Sequence, residues 1–232
     1  TTEIYTLSLH DALPICILFK KNIDERRAIA SLNKILSAIV ILEKYPLDLV
    51  IDVNRENIPE NLDWQLGLKD GDKISIESAL KAMLVSSYND VGYIVANAYP
   101  EGGYFAFVEQ MNIKADSLRM FNSHFMNPSG IDQEGSYSTA MDVALLVSSA
   151  MKYEKILEIV GIEKDVVKWS RQEQLITAPI LTTNDLKGSN ANIVGFKTGV
   201  TTLAGRCFVG YFKYKNGKEL VTVVLEIGRA HV

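Results

Sequence analysis

The 232-residue sequence predicts an α+β fold: an antiparallel sheet flanked by helices, with a helical subdomain inserted. Three observations lead there. A strand-like apolar run lies near the start, helical apolar spacing fills the middle, and strand-like runs joined by an Asn-Gly turn close the chain. An apolar content of 47% is enough to build a packed core between these layers.

Taken in order, Ile17-Leu18-Phe19-Lys20 reads as the end of a strand, and the polar run 22–27 as a connection. From Ser31 onward, Ile35, Ile39 and Leu42 recur at helical spacing, and Pro46 stops that helix. Residues 49–53 form a short strand candidate, and 68–73 a turn broken at Gly71. Helices are expected over 76–85, 90–98, 104–118 and 139–153, with a break at 86–89. Asp90 would favour the first turn of its helix. After Val166 the period changes, and 193–196, 207–214 and 220–225 read as strands. Asn216-Gly217 marks a hairpin between the last two. The expected organisation is one domain over 16–226, with the helical subdomain at about 54–165. A site would then lie between the sheet edge and the helical part.

The ends are set aside. Residues 1–15 (TTEIYTLSLHDALPI) and 227–232 (IGRAHV) resemble translated sequencing adapters, so they are expected to be non-native. Missing termini could have carried an export signal or a membrane anchor. The retained sequence has no run of 18 apolar residues.

The net charge of −4 gives no basic field to recruit nucleic acid. Of three histidines, His10 and His231 fall in the suspect ends; His124 alone remains, with a packing role expected. That argues against a His-rich metal site and against Ser-His-Asp chemistry. Cys16 and Cys207 make no disulfide framework, and Cys207 is expected to be a small buried hydrophobe. No metal or cofactor is expected.

Three short motifs carry the chemistry. In Ser31-Leu32-Asn33-Lys34, serine and lysine lie three apart and share a helix face. A serine hydroxyl needs a base to become nucleophilic. A buried lysine beside another cation would lose its proton readily enough to serve. Ser31 also stands at a helix start, where open N–H groups can hold an oxyanion. A second S-x-x-K, Ser78 to Lys81, reads as an ordinary helix start.

In Ser87-Tyr88-Asn89, Ser87 could relay a proton and Asn89 could pair with a substrate amide; the bland alternative is a helix cap. In Lys197-Thr198-Gly199, a charge and a hydroxyl could hold a substrate carboxylate, and Gly199 would let a peptide approach closely. The alternative there is an exposed strand end with a turn glycine.

With these motifs, the stretches 28–43, 80–92, 122–146 and 194–212 resemble D-alanyl-D-alanine carboxypeptidases, low-molecular-mass penicillin-binding proteins with a β-lactamase/transpeptidase-like fold. The resemblance implies a single catalytic domain with Ser31 as acylated nucleophile and Lys34 as its base. Ser87 and Asn89 would position substrate and shuttle the proton. Lys197, Thr198, Gly199 and Val200 would bind substrate, and the N–H groups of Ser31 and Val200 would form the oxyanion hole. It implies peptidoglycan stem peptides ending in D-Ala-D-Ala as substrate, β-lactams as inhibitors and an extracytoplasmic location at the cell wall.

Tyr88 departs from the small residue common inside S-x-N, and Val200 from the aromatic or histidine frequent after K-T-G. Three alternatives remain: a class A β-lactamase, a D,D-endopeptidase, and a catalytically degenerate wall-binding module. A class A enzyme needs a glutamate to activate its deacylating water. Residues 121–130 contain no acidic side chain.

Overall fold

Val221, Val223 and Leu225 are buried while Thr222 and Val224 between them are less so, the alternation of a strand packed on one face. The computed structural model describes residues 3–9, 16–188 and 191–227. The elements run β1 (Glu3–Leu9), β2 (Cys16–Lys20), a 3-10 turn (Ala30–Asn33), α1 (Lys34–Lys44), β3 (Val50–Asp52), β4 (Lys73–Ser75), α2 (Ile76–Leu84), α3 (Asn89–Asn97) and α4 (Gly103–Ser117). They continue through α5 (Ala140–Ala150), α6 (Glu154–Val160), β5 (Lys164–Arg171), β6 (Gln174–Leu181), β7 (Ile193–Thr201), β8 (Gly205–Lys213) and β9 (Glu219–Ile227).

One sheet has the order β2-β1-β9-β8-β7, with every neighbour antiparallel. The expected strands near 193, 207 and 220 are β7, β8 and β9. Gly217, at a φ of 80°, turns the β8–β9 hairpin, as the Asn-Gly pair predicts. Of the ends set aside, the 3–9 segment pairs with both β2 and β9. Ile227 pairs with Arg206, and residues 1–2, 10–15 and 228–232 lie outside the described residues.

A second antiparallel sheet, β3-β4-β5-β6, differs from the expectation. The segment 54–165 is not purely helical, because β4 and the start of β5 lie in it. The β5–β6 hairpin left little trace in the sequence. Its exposed face mixes apolar residues (Val166, Leu175, Leu181) with Lys164, Lys168 and Thr177, which blurs the alternation. Its two-residue turn is Gln172-Glu173, both at positive φ (50° and 66°) without the usual Asn or Gly. The short helix α6 was also missed; the period of its seven residues is too brief to separate from its surroundings.

Helix α1 sits between the layers, packed against α2, α4 and α5. Ile35, Leu36, Ile39 and Ile41 are fully buried there. Each contributes roughly 1.5–3 kcal/mol. Such burial offsets the several kcal/mol, roughly, that stripping water from a charged group costs. That balance matters because two lysines are buried against this helix or beside it.

Candidate active site

The chain enters α1 through the 3-10 turn Ala30–Asn33, with Ala30 at a φ of 49°. In a 3-10 turn, residues three apart eclipse each other more closely than in an α-helix. Ser31 and Lys34 span that junction, and Lys34 Nζ lies 2.8 Å from Ser31 Oγ. Lys34 is completely buried, whereas Ser31 is half-buried and open to a reactant.

The other two partners of the Lys34 amine are Asn89 Oδ1 and the Ser129 carbonyl, each at 2.7 Å. Neither can give it a proton. The orientation of Asn89 is fixed because its Nδ2 donates to the Asp63 carbonyl at 2.8 Å. In this arrangement the amine donates to all three partners, Ser31 Oγ among them. On losing a proton it keeps two hydrogens for Asn89 and the Ser129 carbonyl, and its lone pair is left for the Ser31 hydroxyl. The electrostatics agree. Burial holds the Lys34 pKa well below the ordinary lysine range, and the Lys197 charge adds to that, while Asp90 pulls the other way.

Asn89 opens α3, whose N-cap is Tyr88 with no side-chain cap hydrogen bond. Neither Ser87 nor Asn89 caps the helix, so the bland alternative does not describe this motif. Ser87 is buried at a left-handed φ of 64°. Among the described residues it makes no hydrogen bond to Lys34 or Ser31, although it lies two positions from Asn89. Its neighbour Ser86 exchanges hydrogen bonds with the Leu181 backbone, both at 2.9 Å, and ties the break to β6.

The third motif lies on β7, the edge strand of the larger sheet. Lys197 is 1% exposed and donates to the Thr198 carbonyl at 2.9 Å; burial pulls its pKa down to about 7. An exposed strand end is therefore not what this motif is. Thr198 Oγ1 meets Thr183 Oγ1 at 2.6 Å.

Gly199 serves a different close approach from the one expected. A Cβ there would stand 2.8 Å from the Ser31 backbone nitrogen and 2.9 Å from Ala30 Cβ. The glycine lets β7 close onto the protein's own 3-10 turn. Val200, by contrast, is largely exposed.

Sequence reasoning missed four contributors. Asn127 accepts the Ser129 and Gly130 amides on its Oδ1 (3.1 and 2.7 Å), and its carbonyl accepts Asn33 Nδ2 at 2.6 Å. That folds the loop so that the Ser129 carbonyl reaches Lys34. Asp90, beyond its helix-start role, accepts the Leu66 and Gly67 amides at 2.9 and 3.1 Å. Thr183 is the fourth. Only the turn-forming run Asn127-Pro128-Ser129-Gly130 offered any signal.

Elsewhere the second S-x-x-K is structural: Lys81 pairs with Asp165 at 2.9 Å, and the Ser78 amide is bound by Ser75 Oγ. Cys207 is buried in β8. His124 bridges to Tyr137, with Nδ1 2.9 Å from the Gly135 carbonyl. Among the described residues no group of three His, Cys, Asp or Glu could hold a metal.

A family model for D-alanyl-D-alanine carboxypeptidase, peptidase S11, matches residues 9–228. The chain belongs to this family. Within the family's reach, it is 29% identical over 211 residues to D-alanyl-D-alanine carboxypeptidase DacF of Bacillus subtilis (strain 168), covering 89% of this chain and 53% of that relative. It is 33% identical over 212 residues to the D-alanyl-D-alanine endopeptidase of Escherichia coli (strain K12), covering 90% of this chain and 67% of the relative. The chain thus spans about half to two thirds of these relatives' length. In three dimensions it is similar to the Streptomyces K15 DD-transpeptidase, with a TM-score of 0.88 at 27% identity, covering 96% of this chain and 88% of that one. The α+β fold of the family agrees with the two sheets and helical layers above.

Proposed function

We propose that the chain is a serine-type D-Ala-D-Ala carboxypeptidase that removes the terminal D-alanine from peptidoglycan stem peptides. The observation that carries this reading is the Lys34 amine, 2.8 Å from Ser31 Oγ and otherwise bonded only to acceptors. Ser31 Oγ attacks the carbonyl of the penultimate D-alanine while Lys34 takes its proton. The N–H groups of Ser31 and Val200 hold the oxyanion. Collapse breaks the C–N bond, and the proton held by Lys34 passes to the departing D-alanine amine. Ser87, which is not bonded to Lys34 in the free protein, relays it only once substrate fills the groove between them. Water then attacks the Ser31 ester, Lys34 takes the water's proton, and the hydroxyl of Ser31 is restored.

Asn89 pairs with an amide of the acyl part, and Lys197 with Thr198 anchors the terminal carboxylate. A β-lactam carries both handles but keeps its leaving group tethered after acylation. With no carboxylate on the 121–130 segment to activate water, its ester persists, so β-lactams inhibit. Such substrates lie on the cell-wall side, outside the cytoplasm. Among the described residues no helix is long and apolar enough to cross a membrane.

A D,D-endopeptidase is the second reading, favoured by the 33% identity to the Escherichia coli endopeptidase. The chemistry is shared, and only the leaving amine differs. Labelling with a fluorescent penicillin tests the common step. Intact mass should show one adduct, absent in Ser31→Ala. Folded protein that takes up no adduct would leave only the wall-binding module. Release of D-alanine from a pentapeptide, against cleavage of a cross-linked dimer, separates the two peptidases.

A further inference from the structure

Trp64 is 61% exposed, yet its backbone is strained, at a φ of 55°. A left-handed conformation in a bulky residue costs roughly 1–3 kcal/mol and persists only where its surroundings enforce it. Here they do. The Trp64 carbonyl accepts the Asn89 amide at 2.9 Å, and its indole N–H donates to the Ser86 carbonyl. On either side, the Asp63 carbonyl accepts Asn89 Nδ2, and the Leu66 and Gly67 amides bind Asp90.

The indole polar atom is thus satisfied against the protein, while most of the side chain stays exposed. The half-buried Tyr88 ring lies beside it, centroids 6.3 Å apart and planes at 27°. Tyr88 is the residue between Ser87 and Asn89. A rigid two-ring surface therefore borders the side chain that bonds Lys34.

We propose that Trp64 and Tyr88 form a stacking shelf that favours acyl donors carrying a flat apolar group beside the amide held by Asn89. The inference rests on the function proposed above. Its side of the cleft follows from the same assignment. Lys197 and Thr198 take the carboxylate of the leaving part, whereas the shelf adjoins Asn89 and so meets the part that remains on Ser31. Because the shelf is held in place before a ligand arrives, stacking on it costs little ordering.

The test compares two penicillins with the same nucleus, one with a phenylacetyl and one with an acetyl side chain. Acylation at low ligand concentration is followed by intact mass for the wild type, Trp64→Ala, Trp64→Phe and Tyr88→Ala. The wild type should prefer the phenylacetyl compound by about tenfold, the scale of one aromatic stacking contact. Trp64→Ala should bring the ratio close to one, Tyr88→Ala should lower it, and Trp64→Phe should keep most of it. The change should lie in the ligand dissociation constant and not in the saturated acylation rate. A wild-type ratio near one overturns the shelf. So does an equal loss for both compounds in Trp64→Ala, which would mean that Trp64 only supports the Asn89 loop. Should Trp64→Ala not fold, Tyr88→Ala decides, since it leaves the indole N–H bond intact. Absence of any adduct on the folded wild type overturns the proposed function itself, and the shelf with it.

Discussion

Lys197 holds a proton off Lys34: after burial, its charge is the strongest influence keeping the Lys34 amine below the ordinary lysine range. Both side chains are shut away from water, so their repulsion is poorly screened. The proposed anchor and the proposed base are therefore coupled.

That coupling predicts a particular pH profile. With a β-lactam whose carboxylate is esterified, acylation should rise with pH as Lys34 loses its proton. In Lys197→Ala the repulsion is gone, Lys34 binds its proton more tightly, and the rising limb should move to higher pH. With a free carboxylate, the wild type should also weaken its grip above about 7, where Lys197 loses its charge. Stopped-flow acylation of both ligands checks this. An unmoved limb in Lys197→Ala would contradict the coupling.

Stability should depend on pH in the direction opposite to that of an ion-paired lysine. Lys197 titrates at about 7 when folded but near the ordinary lysine value when unfolded, so above pH 7 the unfolded chain holds more protons. Stability then rises with pH from about 7 to about 10, by a few kcal/mol at most. Above that range the buried phenols of Tyr45 and Tyr93, which resist ionisation because of their burial, reverse the trend. Chemical denaturation at several pH values reads the slope. Lys197→Met should reduce it without abolishing it, because the buried Lys34 amine, also held below the ordinary lysine range, contributes in the same direction.

Gly199→Ala places its methyl against the backbone of the 3-10 turn, which cannot swing aside as a flexible side chain would. We expect a loss of roughly 1–3 kcal/mol in denaturant unfolding. Penicillin labelling should slow as well, because the displaced atom is the Ser31 amide nitrogen. An unchanged midpoint would show that β7 and the turn are not in firm contact.

Thr183→Val deletes one hydroxyl of the 2.6 Å pair with Thr198 at nearly constant shape. Thr198 then loses the partner that aims it. Weakening of carboxylate-bearing ligands by about fivefold, the equivalent of roughly 1 kcal/mol, is expected. An esterified analogue should be unaffected, and a matching loss there would point to general damage.

What the sequence disclosed follows from how each residue acts. The roles proposed for Ser31, Lys34, Asn89 and Lys197 rest on side-chain groups whose chemistry is plain from their identity and spacing, and the fold brings Ser31 and Asn89 each against Lys34. Ser129 was hidden because it contributes a main-chain carbonyl, which every residue carries. Asn127 shapes that carbonyl's path through contacts that depend on tertiary closure. Thr183 lies 15 positions from Thr198 on a loop with no motif of its own. Helix α1 was legible because Ile35, Ile39 and Leu42 recur at helical spacing within an apolar run that proline ends. The β5–β6 hairpin was not, since Gln172 and Glu173 occupy a turn their side chains do not favour.

The Lys34 amine owes its dryness to three separate pieces of chain: α1 itself, the start of α3, and the loop ending at Ser129. In a nascent or half-assembled polypeptide these are apart, and an amine bathed in solvent stays cationic. The hydroxyl beside it is then as inert as that of any serine. On the mechanism proposed here, tertiary closure works as a safety catch, arming the Ser31 hydroxyl only after the groove that governs what may reach it has been built.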